Sequence, residues 1–184
     1  TDYIGEAGWP SHGWPAGLFD ICMVEKPRAA FHRAMWNDEP MVRIAVRDNA
    51  LDIDHGRDLW QWPNMGAIWN FPRAYEGLVI EVNTTTNCER VALFHNGNEM
   101  GVRRTADYPN HTITWCLPYR RGTLVAKGIN GTDTVAVHEI RTAGDAVRLK
   151  TTADRGKLMA DGQDLSYVQV ELLDKDGTLV QHAD

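Results

Sequence analysis

Apolar and polar residues alternate in seven short stretches between residues 42 and 140, Asn-Gly dipeptides close two of them, and no helical period runs among them. These observations predict a mainly β protein built around an immunoglobulin-like β-sandwich. The chain has 184 residues, 43% hydrophobic and 24% charged, enough for one domain or two small ones with a buried core. Nineteen Lys plus Arg against 25 Asp plus Glu leave a net charge of −6. That balance offers no footprint for nucleic acid or anionic lipid, and neither is expected as a partner. No apolar run reaches the roughly 20 residues that span a bilayer, so membrane insertion is not expected either.

Taken in order, residues 1–37 contain an apolar start, a Gly/Trp/Pro-rich loop through Trp14-Pro15, the stretch Leu18-Phe19-Asp20-Ile21, and one helix. Pro27 suits the first helical turn. Ala30, Phe31, Ala34 and Met35 fall on one face, with Arg28, His32 and Arg33 turned out. One strand, one loop and one helix cannot enclose a core, so this stretch reads as the end of a larger domain. The absence of a start Met and of a signal-type apolar run at Thr1 points the same way.

From residue 40 the period becomes two. Val42, Ile44 and Val46 open the first strand, and strands at 78–83, 90–95, 99–102, 112–117, 123–129 and 134–140 follow. Asn96-Gly97 and Asn130-Gly131 are hairpin signals. The interval 47–77, with Trp60, Trp62 and Trp69, is too long for a plain loop and is expected to wrap the sandwich or a neighbouring domain. After Ala143-Gly144-Asp145 alternation resumes at 147–151 and 167–172, with a turn at Asp174-Lys175-Asp176-Gly177. Two or three strands are marginal alone, so this reads as the opening of a second sandwich.

Nothing matches a nucleophile elbow, a zinc-protease helix, a P-loop or a dinucleotide fingerprint. Asp48, Asp52, Asp54 and Asp58 lack calcium-loop spacing and read as a solvated loop, while Asp174 to Gly177 reads as turn chemistry. No metal or cofactor is expected. His95 and His138 read as surface or core residues. Cys22, Cys88 and Cys116 are far apart and form no CxxC pair; they are expected to be buried thiols, one bridge being left open. The loop 1–14 differs: Asp2, Tyr3, Glu6, Trp9, His12 and Trp14 combine carboxylates, imidazole and flat rings with permissive glycines. Such a set suits a sugar, whose C–H face stacks on indole while carboxylates accept its hydroxyls. Trp9 and Trp14 could equally plug the loop against a barrel rim.

The same residues carry a family likeness. Asp2-Tyr3-Ile4-Gly5-Glu6, Trp14-Pro15, Gly17-Leu18-Phe19-Asp20, Lys26-Pro27 and Met35-Trp36 resemble the last barrel strand, loop and helix of glycoside hydrolase family 2 β-galactosidases. Trp60-Gln61-Trp62-Pro63, Ile80-Glu81-Val82, Asn87-Cys88-Glu89, the run from Val91 to Gly97, Thr114-Trp115 and Pro118-Tyr119 resemble the immunoglobulin-like domain that follows the barrel. Thr142-Ala143-Gly144, Leu149-Lys150, Ala153-Asp154-Arg155, Ala160-Asp161-Gly162, Asp164-Leu165 and Val170-Glu171 resemble the next such domain.

The resemblance implies three parts: 1–37 as the end of a (β/α)8 catalytic barrel, 38–142 as an immunoglobulin-like sandwich, and 143–184 as an incomplete second one. It also implies a parent that hydrolyses a β-galactoside by a retaining mechanism, with two glutamates roughly 5 Å apart on barrel strands preceding this sequence. On this reading no catalytic residue lies in the chain. Asp2, Glu6 and Trp9 would then bind substrate at the pocket rim. The competing expectation is a separate carbohydrate-binding or adhesion module using Trp60, Trp62 and Trp69 as a stacking platform. A pure spacer would leave residues 1–37 unexplained. Homo-oligomerisation is open on both main readings.

Overall fold

The computed structural model describes residues 17–20, 23–47, 63 and 65–181. The chain divides into two compact units, the first ending at Arg141 and the second beginning at Thr142.

In the first unit, Phe19 bridges Glu25 across a tight turn in which Met23 takes a left-handed conformation (φ 65°) and Asp20 Oδ1 accepts the Val24 N–H at 2.8 Å. Helix α1 (Pro27–Trp36) follows, with Pro27 in its first turn, where a missing N–H costs nothing. Its buried stripe is Ala29, Ala30 and Ala34, packed on Met41. This corrects the expected face: Met35 is exposed and Phe31 only half-buried. Small residues let the helix approach closely along the 30/34 line, and positions 31 and 35 are rotated about 100° from it.

The strands of this unit form two four-stranded antiparallel sheets. The first has the order β2 (Met65–Gly66), β1 (Val42–Arg47), β3 (Val79–Thr86), β6 (Thr112–Pro118). The second has the order β5 (Asn98–Arg104), β4 (Arg90–His95), β7 (Thr123–Asn130), β8 (Asp133–Arg141). Alternate residues of both meet in one core: Val42, Ile44, Val46, Ile80, Val82, Ile113, Trp115 and Leu117 face Val91, Leu93, Leu124, Ala126 and Ile140. Trp115 sits at its centre, its Nε1–H donated to Thr84 Oγ1 at 3.0 Å and the Arg103 guanidinium 4.5 Å from its ring.

The Asn96-Gly97 signal is a two-residue hairpin turn with both residues at positive φ, 51° and 81°. The second signal is displaced by one residue. Asn130 pairs with Asp133 and lends its Oδ1 to the Glu89 N–H, so Gly131 (φ 58°) opens the turn. Cys88 is buried as expected, but Cys116 is exposed, because it alternates with the inward Trp115 and Leu117 on β6. Cys22 lies outside the described residues.

The second unit is a ribbon of β9 (Arg148–Ala153) and β10 (Val168–Leu173). It continues into a turn braced by Asp174, whose Oδ1 accepts the N–H groups of Asp176 and Thr178 and whose Oδ2 accepts that of Gly144. The turn returns the chain to a Leu173–Leu179 bridge.

Candidate functional site

Asp2, Glu6 and Trp9 lie outside the described residues, as do Tyr3, His12 and Trp14, the aspartates at 48, 52, 54 and 58, and Trp60 and Trp62. Trp69 is described, and it is not a platform. It is 1% exposed, stands edge-on to Phe71, His95 and Tyr119, and donates its Nε1–H to the Arg120 carbonyl at 3.0 Å. His95 Nε2 lies 3.0 Å from the same carbonyl, a core role. These rings anchor the segment after β2 to the turn between β6 and β7.

A cleft of about 270 Å³ opens where the segment leading into α1 crosses the edge of the sandwich. Glu25, Lys26, Arg43 and His138 bring charge or an imidazole to its lining, and Val24, Pro27, Ala30, Ile44 and Ala67 supply the apolar wall. His138 Nδ1 accepts the Ile44 N–H at 3.1 Å, tying the edge strand β8 to β1 of the other sheet. Burial, reinforced by the Arg43 guanidinium, lowers the His138 pKa from 6.5 to about 4. The sequence carried a signal for this placement: alternation through Ala136, His138 and Ile140 puts His138 on the inner face of its strand.

Two apolar surfaces are uncovered. Around α1, Met23, Val24, Met35 and Trp36 are exposed, Trp36 by 77%, with its indole stacked on His32 at 4.8 Å. On the ribbon, the cross-strand pairs Leu149–Leu172, Thr151–Val170 and Ala153–Val168 share one face, and Leu149 is 64% exposed. The opposite face carries the Lys150–Glu171 ion pair at 2.8 Å. Half of this ribbon therefore has core chemistry without a core over it.

The acidic motifs of the ribbon's loop are occupied internally. Asp154 accepts the Ser166 hydroxyl and the Tyr167 N–H, Asp161 accepts the N–H groups of Gln163 and Asp164, and Asp164 accepts Arg155 and the Met159 N–H. Donors aimed at these oxygens hold Asp154 and Asp161 below the usual carboxylate range, the Ser166 hydroxyl leading at the first and the Gln163 N–H at the second. The Gly144 N–H does the same most strongly at Asp174. These carboxylates brace turns. Among the described residues, no group of three or more His, Cys, Asp or Glu is placed to hold a metal ion.

Comparison with known proteins follows the two units. Residues 77–136, within the sandwich, match a domain of unknown function, DUF4982. Residues 149–184 match glycoside hydrolase family 2 C-terminal domain 5. The beta-galactosidase BoGH2A of Bacteroides ovatus is 30% identical over 186 residues, covering all of this chain and 19% of that protein. A putative beta-glucuronidase of Formosa agariphila is 30% identical over 191 residues, covering all of this chain and 16% of that protein. Among solved structures, a glycosyl hydrolase family 2 member from Bacteroides cellulosilyticus superposes with a TM-score of 0.81 at 32% identity, over 90% of this chain and 22% of that one. A beta-glycosidase from Bacteroides vulgatus gives 0.78 at 26% identity, over 99% of this chain and 20% of that one. Over its whole length the chain is similar to glycoside hydrolase family 2 proteins, and its residues 149–184 carry a C-terminal domain of that family. It spans less than a fifth of the length of the curated relatives it matches.

Proposed function

We propose that the chain is the C-terminal portion of a retaining β-galactosidase, an enzyme that hydrolyses terminal β-D-galactosides. Residues 1–37 end its catalytic barrel, 38–142 form an immunoglobulin-like sandwich, and 143–184 open a second one. The observation that carries this reading is the alignment of the whole chain, in order, with a beta-galactosidase. The two uncovered apolar surfaces support it: each is a face that a further layer would bury, one beside α1 and one on the ribbon. The two catalytic glutamates belong to earlier barrel strands. The substrate-binding role proposed for Asp2, Glu6 and Trp9 rests on their chemistry and on the family likeness, barrel enzymes building their sites from loops at the carboxyl ends of their strands.

The choice of sugar rests on charge. Asp2 and Glu6 bring two carboxyl side chains to the proposed rim. A galactoside presents hydroxyls that such carboxylates accept, whereas a glucuronide brings a carboxylate of its own, and like charges side by side disfavour it. The test is kinetic, in the full-length enzyme, with nitrophenyl β-galactoside and β-glucuronide as substrates. The galactoside should be preferred. Glu6→Gln and Trp9→Ala should each lower kcat/KM for it by about 5- to 150-fold, corresponding to roughly 1–3 kcal/mol for a charged hydrogen bond or a stacking face. The isolated 184-residue chain should turn over neither. Preference for the glucuronide would overturn the assignment of sugar, and kinetics unmoved by both substitutions would overturn the rim placement. Turnover by the isolated chain that Glu6→Gln abolishes would show that catalysis resides in the chain itself.

A further inference from the structure

The seam between β1 and β8 joins two sheets that share no backbone ladder. β1 is paired with β3 from Val42 to Val46, and on its other side, among the described residues, β2 reaches only Val46 and Arg47. β8 is the edge of its own sheet, paired only with β7. Ile44 therefore presents an N–H at an open edge, and an unpaired edge donor is both a desolvation cost and an aggregation hazard. His138 supplies the acceptor across the seam at 3.1 Å. A backbone N–H donates to Nδ1 only when that nitrogen is bare, so the bonded ring is neutral, with its proton on Nε2.

We propose that His138 is an acid-released clasp. With its ring neutral it latches β1 to β8 beside the cleft under the segment that leads into α1; with Nδ1 protonated the acceptor is lost, the seam opens, and the rest of the sandwich stays folded.

The surroundings set the direction. From β1, the Arg43 guanidinium opposes a second positive charge. From the segment before α1, Lys26 and Glu25 line the same cleft, and the Glu25 carboxylate is engaged by Arg33 at 3.3 Å. From β7, the inward residues Leu124, Ala126 and Gly128 bring no charge. Protonation thus places a second cation beside Arg43 and pushes the seam apart instead of reorganising it. The core that must survive is held by side-chain packing and not by this bond: Trp115, Val82, Leu93 and Leu124 form one apolar cluster with the Ile44 side chain. This inference holds whichever sugar the parent enzyme takes.

The experiment is NMR on the 184-residue chain between about pH 7 and pH 3.5, reading the His138 ring nitrogens and the exchange of the Ile44 and Val82 amides. Above the transition, Nδ1 should show the shift of a bare ring nitrogen. As the ring titrates, exchange protection at Ile44, corrected for its intrinsic pH dependence, should fall by about tenfold or more while Val82 holds. In His138→Gln, whose side-chain oxygen accepts without titrating, Ile44 protection should not change with pH. Protonated Nδ1 at neutral pH, an Ile44 amide indifferent to the titration, or simultaneous loss at Ile44 and Val82 would overturn the clasp. The wild-type readouts decide the matter even if the variant does not fold.

Discussion

Gly128 lies on the inner face of β7, and a methyl group added there would meet the Cys88 sulfur at 2.6 Å, with the Cys88 and Ala136 Cβ atoms each at 3.3 Å. Its backbone is not in the left-handed region, so Gly128→Ala tests space and not strain. Cys88 is 1% exposed and cannot swing into solvent. Overpacking of this kind costs about 1–3 kcal/mol, offset by up to about 1 kcal/mol because alanine restricts the unfolded chain. We expect a net loss of about 1–2 kcal/mol, read as a lower midpoint in denaturant with tryptophan fluorescence reporting the sandwich. Trp69 and Trp115 are both in its core. Cys88→Ala removes the clashing sulfur and leaves only the 3.3 Å contacts. In that background Gly128→Ala should cost nearly nothing, giving a coupling of about 1 kcal/mol or more between the sites. Equal cost in both backgrounds would refute the packing of β7 on the turn after β3.

Three further outcomes are expected. Trp115→Ala should lower stability by about 3–5 kcal/mol, and Trp115→Phe by less, since the phenyl fills most of the site but forgoes the bond to Thr84; chemical denaturation of both variants checks this. His138 has a folded pKa of about 4 against 6.5. Between those values the unfolded chain binds more protons, so its stabilisation is complete above about pH 6.5 and is lost as pH falls toward 4. The whole change should be about 1.5–3 kcal/mol once partial exposure of the ring is discounted, and His138→Gln should flatten that part of the stability–pH curve. Asp174→Ala should strip exchange protection from Gly144, Asp176 and Thr178 together, whereas Asp174→Asn, which keeps one acceptor oxygen, should retain it at only part of that set.

Most strands were legible because each has one face in the core and one in water, which makes alternation a direct print of burial. β7 buries Leu124, Ala126 and Gly128 and half-exposes Val125 and Lys127 between them. β2 was not legible, since two residues carry no period. The displaced turn at Asn130 depends on a bond to Glu89, 41 positions away, and local propensity has no access to such a partner. Trp69 was undecidable for the same reason: an indole suits a core and a platform alike, and its place is settled by the Arg120 carbonyl 51 residues on. The helix face was missed because all four apolar candidates fit a helical stripe, and only the packing distance to Met41 selects the small ones. Of the candidate site, Asp2, Glu6 and Trp9 were read from their chemistry and from a likeness to a family. The clasp residue His138 was visible as an inward position, but its partner N–H was not, because sheet order decides which amides are left at an edge.

The segment Asn87-Cys88-Glu89 shows how that likeness maps onto forces. The Asn87 side chain accepts the Met41 N–H at 2.7 Å and donates to the carbonyls of Asn37 and Glu39, each at 2.8 Å, so one amide fastens both ends of the five residues between α1 and β1. Thr86 adds a hydroxyl to the Met41 carbonyl. Cys88 fills the space that Gly128 leaves, and Glu89 is held by Asn130 while its own carboxylate accepts the Gly131 N–H. Helix α1 is thus joined to the sandwich by a hydrogen-bonded strap with no slack, not by a flexible linker. If α1 closes the catalytic barrel, as proposed, the sandwich is fixed to the last barrel helix through residues 37–41, and so to the wall on which the rim is built. Its rigidity then bears on the rim directly. A carboxylate that must meet a sugar hydroxyl within hydrogen-bond distance tolerates little drift of its supporting strand, and a domain strapped to the neighbouring helix limits that drift.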